Sequence, residues 1–220
     1  MPSDLVTITD PRSPVAEAYR TLRTNLEFAN LERPLRTLLV TSPGPEEGKS
    51  AVLANLAVVL AQAGKRVIIA DCDLRHPRQH EIFGLGNSLG LTTVLRDDAA
   101  FSALPLADVG MAGLSVLTSG PVPPNPAELL ARPRMAELIA SLSGRADMVL
   151  FDAPPVIVVT DAAILAARVD GVLLAINARG TKRDHALRAK ELLEKVNARL
   201  LGAVLNNVEF DASIRRYYSG

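Results

Sequence analysis

The chain alternates between short apolar runs and longer segments of mixed polarity. Five runs are mostly apolar at consecutive positions, whereas a strand with one exposed face would alternate between apolar and polar residues. Such runs are typical of strands in a parallel sheet that is covered on both faces. The predicted strands are residues 35–42, 66–71, 147–152, 171–177 and 200–207, with a weaker one at residues 114–120.

Helix-length segments lie between these runs, at residues 50–63, 127–143, 161–168 and 182–199. The alternation of strand and helix predicts an α/β fold with a doubly wound, mostly parallel sheet. Two helix starts are marked by a capping side chain followed by proline, at Ser13-Pro14 and Asn125-Pro126. Glu128 lies three residues after Asn125, so a capping box is predicted at this second start.

Length and composition indicate one globular domain. The chain has 220 residues, of which 48% are apolar, and this is enough for one sizeable core. We predict a single domain made of an arm and first helix (residues 1–34), an α/β core (residues 35–208) and a tail (residues 209–220). The arm proper, residues 1–14, and the tail are expected to be peripheral to the core.

Charge and cysteine content narrow the classes of partner. Lys and Arg number 24, as do Asp and Glu, so the summed charge gives no reason to expect nucleic acid or an anionic membrane as a general partner. No apolar run approaches the ~18 residues that span a bilayer. The single cysteine, Cys72, has no second cysteine to pair with, and we expect a small core residue in a cytosolic chain.

The loop at residues 43–50 carries the first candidate chemistry. Gly48, Lys49 and Ser50 fit the end of the Walker A pattern, although Pro43 replaces its leading glycine. In this pattern backbone N–H groups and a helix N-terminus converge on phosphate. Lys49 would face the β- and γ-phosphates, and the Ser50 hydroxyl would face Mg²⁺. The further backbone donors in this loop are those of Gly44, Glu46, Glu47 and Gly48.

Three aspartates follow two of the predicted strands. Asp71 and Asp73 end one apolar run, and Asp152 ends another. Ligands of an open parallel sheet bind beyond the carboxyl ends of its strands, so these side chains are expected to meet the phosphate loop in one crevice. Carboxylates there can hold a hard cation and accept a proton, which are the tasks of Mg²⁺-dependent phosphoryl transfer.

With these motifs the sequence resembles the bacterial tyrosine kinase (BY-kinase) family of capsule and exopolysaccharide systems, over nearly the whole chain. The resemblance is carried by the Walker A loop, by "VIIADCDLRHPRQHEIFGL" as the Walker A′ motif and by "MVLFDAPPVIVVTDAAILA" as the Walker B motif. Further matching stretches are "DPRSPVAEAYRTLRTNLEF", "SGPVPPNPAELL" and "GAVLNNVE". The resemblance implies a P-loop NTPase fold of the ParA/MinD-like branch and ATP-dependent autophosphorylation on tyrosines near the C-terminus.

The resemblance also implies roles for individual residues. Lys49 acts on phosphate, Asp71 is the base for the tyrosine hydroxyl, and these two together with Asp73 and Asp152 form the implied catalytic set. The implied metal-binding set is Ser50, Asp73 and Asp152, with the carboxylates acting through water. The implied nucleotide-binding set is Gly44, Glu46, Glu47, Gly48, Lys49, Ser50, Ala51 and Asn206, with Asn206 where related proteins place an adenine-contacting asparagine.

Acceptors and partners follow from the same resemblance. Tyr217 and Tyr218 are the implied phosphoacceptors, and transfer between subunits is expected because the tail must reach a neighbour's site. The implied oligomerisation motif is Glu17, Arg20 and Arg23. The implied cofactors are ATP and Mg²⁺. The implied partners are a transmembrane activator of the polysaccharide co-polymerase type, further copies of the chain in a ring-like homo-oligomer, and a cognate tyrosine phosphatase, with no nucleic acid.

A chain with its own Met1 and no spanning segment resembles the form of the family in which the activator is a separate protein. We therefore expect a cytoplasmic protein that a partner recruits to the inner face of the cell membrane.

Two positions depart from the family's pattern. Glu46 stands where relatives have a glycine, so it must accept a positive φ or reshape the loop, and we expect its carboxylate to face solvent. The tail offers only Tyr217 and Tyr218, whereas relatives often end in several tyrosines.

Two other functions remain open on the sequence. One is a ParA/MinD-like ATPase switch, although the signature lysine of those proteins is absent from the stretch "SPGPEE". The other is a regulator that binds nucleotide with little turnover, because Glu46 intrudes on the phosphate loop.

Overall fold

The computed structural model describes residues 5–209, apart from the side chains of residues 30 and 32. The strands are β1 (Thr37–Thr41), β2 (Val67–Asp71), β3 (Ala107–Asp108), β4 (Leu114–Leu117), β5 (Met148–Asp152), β6 (Gly171–Asn177) and β7 (Leu200–Asn206). The helices are α1 (Val6–Thr9), α2 (Pro14–Glu32), α3 (Lys49–Gln62), α4 (Gln79–Phe83), α5 (Leu91–Val94), α6 (Asp98–Ser102), α7 (Pro126–Ala131), α8 (Pro133–Ser143), α9 (Asp161–Ala166) and α10 (Arg183–Lys195).

The strands form one sheet in the order β3-β4-β2-β5-β1-β6-β7. Every pairing is parallel except that of β3 with β4, which is antiparallel. The prediction of a doubly wound, mostly parallel sheet is therefore confirmed. β2, β5 and β1 are adjacent, and the register of β2 with β5 sets Asp71 directly beside Asp152.

Helices cover both faces of this sheet. Along β1 the side chain of Leu39 belongs to one apolar cluster, whereas Leu38 and Val40 belong to the other, as the strand pleat requires. α1 to α4 pack on the Leu38 face and the later helices on the Leu39 face. α3 is apolar almost all round because it is enclosed between the sheet and α1 and α2. Its first turn is thereby fixed beside the carboxyl ends of the central strands.

Part of the N-terminal arm belongs to the core, so the expectation that the arm is peripheral is wrong for residues 5–8, whereas residues 9–12 are exposed. Leu5 and Thr7 are both buried, and α1 contacts α2 and α3. The backbone N–H and the hydroxyl of Thr7 donate to Asn55 Oδ1 at 3.1 and 2.9 Å. Two hydrogen bonds to one buried amide therefore attach the arm to the helix that follows the phosphate loop.

The helix predicted over residues 127–143 is two helices. The chain breaks at Arg132, whose ψ of 150° is extended, because a residue before proline is disfavoured in the α conformation and Pro133 follows. The predicted capping box is also wrong, since the Asn125 side chain caps no backbone N–H and instead donates to Glu128 Oε2 at 3.2 Å. The helix predicted over residues 182–199 ends at Lys195, shortly before Asn197 with its φ of 55°.

Both predicted helix starts are confirmed, since α7 begins at Pro126 and α2 at Pro14. At the start of α2 the predicted cap is also present, because the Ser13 hydroxyl accepts a hydrogen bond from the Ala16 N–H at 3.2 Å. Pro14 begins α2, and Tyr19 and Leu26 of this helix are buried against α3 and the sheet. Burial raises the pKa of Tyr19 to about 12. Among the described helices, none combines the length and the apolar composition that crossing a membrane requires.

Candidate active site

The predicted site residues lie together at the ends of three adjacent strands. β1 leads into the loop of residues 42–48 and then into α3, β2 ends at Asp71, and β5 ends at Asp152. The carboxyl ends of parallel strands lie at the same edge of a sheet. This edge therefore carries the loop, both aspartates and the segment after β2. The structure therefore brings together the phosphate loop and the three aspartates that sequence analysis singled out.

Lys49 is the centre of this cluster. Its Nζ lies 2.7 Å from Asp73 Oδ2 and 3.2 Å from Asp152 Oδ1, and it donates to Ser50 Oγ at 3.2 Å. The side chains are 11%, 3% and 0% exposed for Lys49, Asp73 and Asp152, so these are largely desolvated ion pairs. Burial alone lowers the pKa of Lys49, but the carboxylates of Asp152 and Asp73 outweigh it and the pKa is raised. Lys49 is thus held as a cation.

Asp71 lies beneath this layer and is fully buried. Its carboxylate accepts hydrogen bonds from three backbone N–H groups of the segment at residues 73–79: Asp73 at 3.3 Å, Arg78 at 3.1 Å and Gln79 at 2.9 Å. Burial, together with the charge of Asp152, raises the pKa of Asp71 well above its ordinary value despite these hydrogen bonds. The side chain is therefore a proton-binding group enclosed by the segment that follows β2.

Two residues of the phosphate loop have a left-handed backbone conformation. Glu46 has a φ of 59° and Gly48 a φ of 80°. Of the two outcomes predicted for Glu46, a positive φ or a reshaped loop, the structure has the positive φ, and the side chain is exposed as expected. Within the described residues, the backbone N–H groups of Gly44, Glu46 and Gly48 donate no hydrogen bond to another group of the chain. Unpaired N–H groups in a loop that opens into a helix N-terminus form a site that suits phosphate.

Glu47 behaves differently from Glu46. It is buried, and its carboxylate accepts hydrogen bonds from the backbone N–H of Asn177 at 2.5 Å and from the Thr181 hydroxyl. The Asn206 side chain donates to the Glu47 carbonyl at 3.3 Å and lies against Gly48, where an added Cβ would come within 2.1 Å of its Nδ2. The ends of β6 and β7 therefore brace the loop from one side, and the adenine contact suggested for Asn206 stays a prediction.

Gln79, at the start of α4, was missed by the sequence analysis. Its side chain is fully buried, and its Nε2 donates to Asp152 Oδ2 at 2.8 Å and to the Ser50 carbonyl at 3.1 Å. No sequence signal distinguished it, because it begins a helix of only five residues, which is too short for a periodic pattern. Gln79 joins the end of β5 to the first turn of α3.

Arg75 and Asp161 form an ion pair that the sequence did not indicate, and this pair fixes the segment after β2. The Arg75 guanidinium donates two hydrogen bonds to the Asp161 carboxylate, from Nε to Oδ1 and from Nη2 to Oδ2, both at 3.1 Å. The Asp161 side chain is fully buried and that of Arg75 is 35% exposed. Paired hydrogen bonds of this kind are among the stronger contacts between charged side chains. They attach the loop that carries Asp73 to the start of α9.

Several predicted residues lie outside this cluster. Glu17 and Arg20 on α2 form an ion pair with each other at 2.7 Å, and Arg23 donates to the Val59 carbonyl at 3.2 Å. Ala51 follows Ser50 in the first turn of α3 and is exposed. Tyr217 and Tyr218 lie outside the described residues. The oligomerisation and phosphoacceptor roles therefore stay predictions.

The residues present suit a magnesium-bound nucleotide. Within residues 5–209, no group of three or more His, Cys, Asp and Glu side chains could hold a metal ion by itself. A Mg²⁺ ion would therefore take the Ser50 hydroxyl, water and phosphate oxygens, with Asp73 and Asp152 as nearby carboxylates, which matches the preference of this ion for retaining water. Lys49 supplies positive charge and the unpaired loop N–H groups supply donors for the phosphates.

The chain is similar to known nucleotide-binding proteins and tyrosine kinases. Residues 38–220 match the family model of the CobQ/CobB/MinD/ParA nucleotide binding domain. The chain is 43% identical over 220 residues to tyrosine-protein kinase YwqD of Bacillus subtilis, covering 100% of this chain and 92% of YwqD. It is 38% identical over 208 residues to the putative tyrosine-protein kinase CapB of Staphylococcus aureus, covering 94% and 91% of the two chains.

A solved structure extends the likeness to three dimensions. The kinase domain of the Escherichia coli tyrosine kinase ETK superposes with a TM-score of 0.89 at 34% identity, covering 95% of this chain and 82% of that domain. Sequence and structure thus lead to the same group, and the chain belongs to the bacterial tyrosine-protein kinases, within the CobQ/CobB/MinD/ParA nucleotide-binding domain family.

Proposed function

We propose that this tyrosine kinase transfers the γ-phosphoryl group of Mg-ATP to tyrosines of its own C-terminal tail, between subunits, and that the phosphorylation state regulates capsule or exopolysaccharide synthesis and export. The observation that carries the proposal is Lys49 held between Asp73 and Asp152, beside a loop with unpaired N–H groups. A nearly buried cation flanked by two carboxylates is an arrangement suited to phosphate with a bound divalent metal.

Each residue of the cluster has one task in this proposal. Mg-ATP supplies the phosphoryl group, and its metal would neutralise charge that develops on the phosphate oxygens. Lys49 leaves one or both carboxylates to contact phosphate, and Ser50, Asp73 and Asp152 would hold the metal, the carboxylates through water. The tyrosine Oη–P bond forms as the bond from phosphorus to the β,γ-bridging oxygen breaks, and the tyrosine proton passes to Asp71.

The position of Asp71 sets a condition on its role as base. Its carboxylate is enclosed by backbone N–H groups of residues 73–79, so a tyrosine hydroxyl reaches it only when this segment moves. The raised pKa of Asp71 makes it a stronger proton acceptor than an ordinary carboxylate. We therefore propose that the segment after β2 opens when acceptor and nucleotide are both bound.

The phosphoacceptors are tested by mass spectrometry of the tail. Purified protein incubated with Mg-ATP is expected to carry phosphate on Tyr217 or Tyr218, and the double substitution to phenylalanine is expected to remove it. Phenylalanine differs from tyrosine only by the hydroxyl that would accept the phosphoryl group. Mixing a Lys49→Met chain that has an intact tail with a chain that lacks both tyrosines is expected to restore labelling on the former, because transfer is between subunits.

The same experiment uses Tyr19→Phe as its control, because Tyr19 is buried in the core and keeps its hydroxyl proton. Its substitution is expected to leave labelling unchanged. Phosphate found on the chain after both tail tyrosines are removed would contradict the proposed acceptors.

The partners of this kinase are also proposals. An activator with a membrane-spanning segment would bring the chain to the inner face of the cell membrane, and a cognate phosphatase would reset the tail. Self-association through α2 would require Glu17 and Arg20 to exchange their mutual ion pair for contacts with another copy. Exposed ion pairs contribute about 0–1 kcal/mol, so this exchange costs little.

A second candidate function, a nucleotide-binding regulator with little turnover, is favoured by the backbone of Glu46. A left-handed residue other than glycine costs roughly 1–2 kcal/mol, and the loop that carries Glu46 also contains unpaired N–H groups. We expect Glu46→Gly to raise affinity for Mg-ADP several-fold and to increase tail labelling. Glu46→Gln is the matched control, since it removes the charge and keeps the strained backbone.

Calorimetry and phosphotyrosine blotting distinguish these outcomes. If wild-type protein binds nucleotide without labelling and Glu46→Gly labels its tail, the regulator is the better description. Equal labelling by wild type and Glu46→Gly would mean that the loop already turns over and that the regulator hypothesis is wrong.

A further inference from the structure

Gln79 lies where three elements of the site meet, and the proposed mechanism gives it no role. It is fully buried at the start of α4, yet its side chain and backbone contact three parts of the site. Its Nε2 donates to Asp152 Oδ2 at 2.8 Å and to the Ser50 carbonyl at 3.1 Å, while its backbone N–H donates to Asp71 Oδ2 at 2.9 Å. One residue thus links the ends of β2 and β5 to the first turn of α3.

The orientation of the Gln79 amide is fixed by its neighbours. Its two contacts, a carboxylate oxygen and a carbonyl oxygen, are both acceptors, so the NH₂ group must face them. Both of its protons are then used, and the Oε1 atom is buried without a partner among the described residues. A buried acceptor without a donor costs about 1–3 kcal/mol, so this position is not explained by packing alone.

The Nε2 contacts join two residues of the proposed metal set. Asp152 has one oxygen toward Lys49 and the other toward Gln79, so the amide restricts rotation of this carboxylate. The Ser50 carbonyl accepts a hydrogen bond from the same amide, and the Ser50 hydroxyl lies 3.2 Å from Lys49 Nζ. Hydrogen bonds to metal ligands from outside the first shell orient those ligands and adjust their affinity for the ion.

We infer that Gln79 is a positioning residue that holds the Asp152 carboxylate and the Ser50 turn in the relative orientation that a divalent cation needs beside bound nucleotide. This inference rests on the proposed function, because it presumes nucleotide at the loop. Gln79 contacts neither nucleotide nor acceptor in this assignment and acts through Asp152 and Ser50.

Mn²⁺ binding to the ADP-loaded protein, followed by electron paramagnetic resonance, tests the inference without any turnover. Manganese is used because it prefers the same oxygen ligands as magnesium. Gln79→Leu, similar in size and without donors, is expected to weaken Mn²⁺ affinity by about 10–100-fold, the usual effect of removing such a contact. ADP affinity measured in EDTA is expected to change less than three-fold.

Two further variants make the result specific. Gln79→Met keeps the unbranched length of the side chain and has no donor, so it is expected to weaken Mn²⁺ binding about as much as Gln79→Leu. Gln62→Leu is the matched control, because Gln62 is an exposed glutamine at the end of α3 whose Nε2 lies 3.5 Å from the Thr7 carbonyl. It is expected to leave Mn²⁺ affinity unchanged.

The outcomes distinguish a failure of this inference from a failure of the proposed function on which it rests. Wild-type Mn²⁺ affinity in either Gln79 variant, even with a lowered melting temperature, would overturn the inference and leave a packing role. If Gln79→Leu does not fold, the unbranched Gln79→Met decides the question in the same way. Wild-type protein that binds no ADP would overturn the proposed function and this inference with it.

Discussion

Replacing Lys49 by methionine is expected to reduce tail phosphorylation by at least ~100-fold, the effect of removing one preorganised group that stabilises transition-state charge. Lys49 is the cation that lies within 3.2 Å of both Asp73 and Asp152, at the start of α3 beside the phosphate loop, so its charge is placed where the phosphates are expected to bind. Methionine keeps the length and apolar stem of the side chain. Labelling with Mg-ATP followed by quantitative phosphopeptide mass spectrometry measures the loss.

The same substitution also tests the electrostatics of the free protein. It leaves the buried carboxylates of Asp73 and Asp152 without their cation, and removing one partner of a buried ion pair typically costs about 3–5 kcal/mol. We therefore expect Lys49→Met to be less stable than wild type, with proton uptake by the carboxylates relieving part of the loss. The control is Lys190→Met, since Lys190 forms an exposed ion pair with Glu194 at 3.4 Å. Undiminished tail labelling in a folded Lys49→Met protein would rule out the proposed role of Lys49.

Replacing Asp71 by asparagine is expected to lower phosphoryl transfer and to give a free protein whose stability, relative to wild type, rises with pH. Loss of a general base typically costs 10²–10⁴-fold, so labelling should fall by at least ~100-fold. The pKa of Asp71 is raised in the folded state by burial and by Asp152. An acid whose folded pKa is raised keeps its proton to a higher pH than it does in the unfolded chain, so the contribution of Asp71 to wild-type stability falls as pH rises above about 4. Asparagine cannot ionise, so the stability of the variant relative to wild type is expected to rise with pH over this range.

Urea denaturation at pH 4, 5.5 and 7 without nucleotide measures this trend, with Asp147→Asn as a control of opposite sign. Arg66 donates hydrogen bonds to the exposed Asp147 and lowers its pKa to about 2. Its contribution to stability is present above the unfolded pKa near 4 and is lost as pH falls toward 2. Asp147→Asn is therefore expected to be slightly less stable than wild type at pH 7 and equal to it at low pH. Destabilisation by Asp71→Asn that is the same at every pH would contradict the assignment of a raised pKa.

The fold was predictable where the physical signal is local. Strands buried on both faces must be apolar at consecutive positions, so the runs around Val149 and Leu173 located β5 and β6 to within a residue. Strand order was not predictable, since it depends on which crossovers the helices make. The break at Arg132 was predictable in principle, because Pro133 stands in the printed sequence. The burial of Leu5 was not, because it depends on α3 presenting Asn55 to the arm.

The residues of the site divide in the same way, into those that a local sequence signal marks and those that depend on distant contacts. Lys49, Asp71 and Asp152 were found because strand ends and a loop motif mark them along the chain. Glu47 resembles an exposed charge in sequence, and its partners Asn177 and Thr181 lie more than a hundred residues away. Gln79 gave no local signal either, because its role comes from the meeting of three elements. Contacts between distant segments are what periodicity and spacing do not report.

Calorimetric titration of ADP with Mg²⁺ into the purified protein tests the central claim most directly. We expect a saturable heat with one nucleotide per chain, abolished or greatly weakened by Lys49→Met and unchanged by Lys190→Met. A wild-type protein that gives no saturable heat, or a Lys49→Met protein with wild-type affinity, would contradict a nucleotide site built from Lys49, Ser50 and the aspartates at the ends of β2 and β5.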